Sequence, residues 1–140
     1  MGTESQPLVN TVATAPRVAA RARPAPGVRR SVWDGQYTCT QGLTSLRLTL
    51  ERDGENVEAT FEFGPLDSNP TVPSGAFRMT GVAKRDDAGL EFVLKPAGWI
   101  ERPANYVMVA LHASPTADGR MLRGRIDHSG CGALEVTRVD

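Results

Sequence analysis

The chain has 140 residues, with 16 basic and 16 acidic side chains and a formal net charge of zero. That length supports one hydrophobic core, and a neutral total provides no whole-chain field that selects nucleic acid or a membrane surface as partner. No apolar run approaches the roughly 20 residues a membrane-spanning helix needs.

The N-terminus lacks the apolar core of a secretory signal. The expectation is a cytoplasmic chain, or one that begins after a removed leader or an upstream domain. Charge is unevenly placed. Residues 1–32 hold Arg17, Arg21, Arg23, Arg29 and Arg30 against the single acid Glu4. Residues 33–140 hold the other 11 basic and 15 acidic side chains. Pro7, Pro16, Pro24 and Pro26 interrupt any helix in the first segment, and its apolar content is too low to offset the entropy of ordering. Residues 1–32 therefore read as a disordered Ala/Pro/Arg-rich arm or linker. Five arginines without an aromatic among them offer no more than weak contact with nucleic acid. Arginine outnumbers lysine 14 to 2, which suggests a GC-rich bacterial source.

From Trp33 onward the pattern has a period of two. Residues 35–40 place Tyr37 and Cys39 on one face. Residues 45–52 alternate Leu46, Leu48 and Leu50 with Arg47, Thr49 and Glu51. Residues 57–63 alternate Val57, Ala59, Phe61 and Phe63 with Glu58, Thr60 and Glu62. Phe77 and Met79 follow in 76–83, and Leu90, Phe92 and Leu94 in 90–95. Residues 106–112 are apolar on both faces. Residues 122–126 and 133–139 alternate again. This predicts eight strands in an all-β domain over 33–140, with no helical pattern between them. Only residues 96–102 could hold a helical turn.

Asp53-Gly54, Asp87-Ala88-Gly89 and Asp118-Gly119 signal tight hairpin turns. The connections at 41–44, 64–75, 97–105 and 127–132 are longer or irregular. In an eight-stranded antiparallel up-and-down barrel the tight turns share one end and the irregular loops the other. A flattened two-sheet β-sandwich is the alternative. Closure sets the first strand beside the last, so Cys39 and Cys131 should lie together as a disulfide or as paired thiols. Trp33 and Arg138 share the inward parity at the opposite end, where a guanidinium over an indole would close the barrel.

This arrangement resembles the calycin superfamily, the lipocalins and avidins, whose members open the first strand with Gly-x-Trp and close the barrel with an arginine near the C-terminus. Here Trp33-Asp34-Gly35-Gln36-Tyr37 stands at the first position and Arg138 at the second; the tryptophan precedes the glycine, and Tyr37 takes its place. The run from Trp33 also resembles a small bacterial accessory module with W-x-G-x-Y-x-C, Asn69-Pro70-x-Val72-Pro73-x-Gly75 and Gly130-Cys131-Gly132. That module implies no particular activity.

Three prolines stiffen the 64–75 loop, which lowers the entropy cost of presenting Leu66, Asp67, Asn69 and Val72 to a partner. Trp99, Arg102 and Tyr106 are residue types common in binding hot spots, and His128 stands in the 127–132 loop. The reading is a non-catalytic module that binds a protein or peptide through the loops at one end, with no cofactor. The alternatives are a lipocalin-like carrier of a small apolar ligand, and a thiol enzyme using Cys131 and His128. His112, His128 and Cys131 lack metal-ligand spacing, so no metal is expected. A Cys39–Cys131 bond would imply an extracytoplasmic location.

Overall fold

The computed structural model describes residues 27–140. The predicted arm over 1–32 therefore lies mostly outside the described residues. Eight strands follow: β1 (Arg29–Cys39), β2 (Gly42–Asp53), β3 (Asn56–Gly64), β4 (Gly75–Asp86), β5 (Gly89–Glu101), β6 (Ala110–Pro115), β7 (Met121–Asp127) and β8 (Ala133–Arg138). Each pairs antiparallel with the next, and β8 pairs with β1 from Trp33↔Arg138 to Tyr37↔Leu134, so the sheet is a closed barrel. β1 starts at Arg29, ahead of the change in pattern at Trp33.

Alternation puts the apolar set inside. Leu46, Leu48, Leu50, Phe61, Phe77, Met79, Leu94, Leu111, Leu122, Leu134 and Val136 are all buried. The centre is aromatic: Phe61 stacks on Phe77 with centroids 4.7 Å apart, and Tyr37 meets Phe61 edge-on at 5.1 Å. Such pairs add about 0.5–1.5 kcal/mol beyond their buried area. Closing so small a barrel brings neighbouring backbones close. At Gly35 a Cβ would fall on the carbonyl of Glu135 in β8, and at Gly124 on that of His112 in β6. Both glycines lie on the inward parity, where the missing side chain lets the strand bend.

The two ends differ. Turns at 54–55, 87–88 and 116–120 share one end with Trp33, whose ring lies 5.7 Å from the Arg138 guanidinium. That guanidinium is not buried. Its side chain is 47 % exposed and its Nε donates to Asp140 at 2.9 Å, so it lies on the rim. The connections at 40–41, 65–74, 102–109 and 128–132 share the other end.

Several expectations are corrected. Residues 96–102 form no helical turn, because β5 continues to Glu101 as the partner of β4, with two breaks in register. The connection after β1 is a two-residue turn at Thr40 and Gln41 rather than a loop over 41–44, with Gly42 at φ 97°. The strand placed at 106–112 begins only at Ala110. Its ladder with β5 covers Phe92↔Ala113, Val93↔His112 and Leu94↔Leu111 and then stops. The next residues of β5 include Pro96, which has no N–H to donate, and the β4–β5 register is broken nearby. Val107, in the stretch expected to be a strand, is 56 % exposed as a result.

Candidate functional site at the barrel mouth

The loop end is tied to the barrel wall by covalent and hydrogen bonds. Cys39, the last residue of β1, is disulfide-bonded to Cys131 across a separation of 92 residues. Beside it the Gly132 N–H donates to the Thr38 carbonyl at 2.9 Å, and the Ile126 N–H donates to Gly132 at 2.8 Å. The 128–132 connection is thus held on both flanking strands. Asn69 does the same for the longest loop. Its Nδ2 donates to the carbonyls of Gln41 and Leu43, both at 2.9 Å, and folds residues 65–74 over the β1–β2 turn.

Between the 40–41, 102–109 and 128–132 connections opens a cavity of about 280 Å³. Its floor is Tyr37, Phe63 and Phe77, all buried at the ends of their strands. One wall is Tyr106, Val107 and Val109. Tyr106 leaves the sheet path to stack on Phe63 at 5.4 Å, an interplanar angle of 16°. The rim is polar and holds no Asp, Glu, Lys or Arg: Thr40, Gln41, Asn105, His128 and Ser129. Gln41 Nε2 donates to the Tyr37 hydroxyl at 3.2 Å and to Thr44 Oγ1 at 3.0 Å. Burial pushes the Tyr37 hydroxyl well above the ordinary phenol range, and the Gln41 donor only partly opposes it. The site therefore presents an apolar floor with polar donors and acceptors but no carboxylate, Lys or Arg around it, which suits an apolar or aromatic group.

The residues singled out from the sequence fall into three groups. Tyr106 and His128 line the cavity. Trp99 is half-buried beside it, edge-on to Phe77 at 5.5 Å, with the exposed Arg102 guanidinium 5.6 Å from its ring. Leu66, Asp67, Asn69 and Val72 do not gather there. Val72 is buried, Asn69 is engaged by backbone carbonyls, and Leu66 pairs with Asn69 inside the loop; of the four only Asp67 is exposed. Gln41, Asn105 and Ser129 were missed. The only signal for them was position, next to strand ends that the closure model places at the mouth.

Cys131 Sγ is held in the disulfide, so no free thiol stands beside His128. Among the described residues no three His, Cys, Asp or Glu side chains converge as metal ligands. His112 stands on the outer wall, 3.5 Å from Glu91 and 3.7 Å from Asp127. A more open depression of about 570 Å³ lies outside the barrel beneath the 65–74 loop. There Asp34 and Arg47 neutralise each other through two bonds of 2.7 Å.

Fold and site together define a small closed β-barrel with a disulfide-braced mouth. No protein-family model matches the chain, and comparison with curated proteins and with solved structures found no match to it. No helix among the described residues is long and apolar enough to cross a membrane.

Proposed function

We propose that the chain is a non-catalytic binding module that takes a protein or peptide at the loop end of its barrel, with one side chain of the partner anchored in the mouth. The observation that carries this reading is the cavity of about 280 Å³ with its aromatic floor and polar rim. Pockets for drug-sized ligands run ~300–1,000 Å³. A cavity just below that range accommodates a single large side chain more readily than a whole carried ligand. The core beneath it is packed with large side chains, Phe61, Phe77, Leu48 and Met79. The disulfide makes the rim rigid before binding, which lowers the entropy cost of association, and it favours an oxidising, extracytoplasmic compartment. The barrel and its Trp33–Arg138 contact favour a calycin-like ancestry.

A lipocalin-like carrier is the second reading, favoured by the apolar floor. One experiment separates the two. The immobilised domain and its Val107→Asp variant are screened against a random peptide library, and both are titrated with hexadecanoate. The proposal expects enriched peptides that share one apolar residue and lose at least tenfold in affinity for the variant. Stoichiometric hexadecanoate binding with no peptide enrichment would establish the carrier instead.

A further inference from the structure

The barrel is closed by pairing, but one of its seams is paired over only part of its length. β5 is bonded to β4 as far as Glu101, yet its other edge meets β6 only at Phe92, Val93 and Leu94. The chain after the turn at 103–106 runs back through Tyr106, Val107, Met108 and Val109 without joining the sheet. The backbone bond recorded for this stretch is local, from the Tyr106 N–H to the Pro103 carbonyl. Among the described residues, no backbone bond joins 97–100 to 106–109. Ala97, Gly98, Trp99 and Ile100 therefore form a strand with one unpaired edge. Such an edge is a template for another strand.

The surroundings say what kind of strand it fits. Ile100 is 38 % exposed and Val107 56 % exposed, so apolar surface flanks the edge on both sides of the gap. Lys95 and Arg102 are exposed at the two ends of the stretch, and Arg78 lies on the neighbouring strand opposite Gly98. The one acid among them, Glu101, leaves this rim net positive. A second copy of the chain would bring the same positive rim to the edge. A partner strand of opposite charge is therefore the better complement.

We propose that the edge of β5 at residues 97–100 takes an extended, acidic segment of a partner polypeptide by strand addition. Its main-chain groups pair with β5, its apolar side chains rest on Ile100 and Val107, and its carboxylates face Lys95, Arg78 and Arg102. This rests on the mouth reading's premise of a polypeptide partner and shares Val107 with the mouth, whereas residues 97–100 themselves lie outside the cavity lining.

The test is a titration of isotope-labelled protein with an acetylated, amidated heptapeptide of alternating valine and glutamate. Controls are the same peptide with lysine for glutamate, and one with alternate amides N-methylated. The backbone amides of 97–100 should shift and their hydrogen exchange should slow at least tenfold. Both control peptides should bind at least tenfold more weakly. The double variant Lys95→Glu, Arg102→Glu alters two exposed side chains and should reverse the charge preference. Unmoved amides at 97–100 overturn the proposal, as does equal binding of either control peptide. Shifts confined to Tyr37, Gln41 and His128 move the peptide to the mouth and also overturn it, while leaving the mouth reading intact. A concentration-dependent dimer that protects 97–100 without peptide assigns the edge to a second copy and overturns it too.

Discussion

Removing the Cys39–Cys131 bond is the perturbation whose size follows most directly from the structure. The bond closes a loop of 92 residues. In the chain-entropy account, that closure removes about 16 cal/mol/K from the unfolded ensemble, or about 4.6 kcal/mol at 25 °C. The folded state loses little by comparison. The β1–β8 ladder from Trp33 to Tyr37 and the Gly132-to-Thr38 bond already hold the two ends together. The double variant Cys39→Ala, Cys131→Ala should therefore keep the barrel and lose stability through its unfolded state. With a urea m-value of about 2 kcal/mol/M for a domain of this size, the midpoint should fall by about 2.3 M. Urea titrations of the oxidised protein and the variant, followed by tryptophan fluorescence and circular dichroism together, measure this. A loss below about 1 kcal/mol would refute the reasoning, because the unfolded chain would then already be closed without the bond. A variant that is unfolded in water, when the oxidised protein exceeds about 5 kcal/mol, would refute the claim that the β1–β8 ladder closes the barrel by itself.

Asn69→Ala removes both donors that clip the 65–74 loop to the β1–β2 turn. It should lower stability by about 1–3 kcal/mol and admit proteolysis within 65–74; unchanged stability and unchanged cleavage would show that the clip holds nothing. Tyr37 has a folded pKa raised, chiefly by burial, above its unfolded value of about 10. Its contribution to stability is therefore complete below pH about 10 and is lost as pH rises beyond that. The wild type and Tyr37→Phe should develop the same phenolate absorbance up to that pH while folded, and an excess in the wild type there would contradict the buried setting.

Much of the barrel was legible along the chain. Leu46, Leu48 and Leu50, or Phe61 and Phe63, lie inside because successive side chains on a strand point to opposite faces, and that rule needs no knowledge of neighbours. The two-residue turns at 54–55 and 87–88 followed from Asp-Gly and Asp-Ala-Gly signals for a similar local reason, whereas the connection at Asp118-Gly119 spans five residues. The meeting of Cys39 with Cys131 needed one further step, the assumption that eight sequential strands close. Residues 106–109 show where this reasoning stops. Tyr106, Val107, Met108 and Val109 have the composition of a strand, yet a strand exists only where a neighbour offers donors and acceptors, and Pro96 with its bulged surroundings does not.

The mouth was the least legible part. Asn69 and Val72 looked available to a partner because they stand in a proline-stiffened loop. One is engaged by two backbone carbonyls and the other is buried. Gln41, Asn105 and Ser129 carry no motif and come together only because three separate connections end at the same rim. By itself the sequence determined the strand count and the inward face of nearly every strand, and with closure assumed it set the two cysteines side by side, since each depends on local backbone geometry or on chain order. The tertiary structure alone decided where the β5–β6 ladder stops, which loop side chains turn inward and that the mouth holds a small cavity, because those depend on packing between residues far apart in the chain.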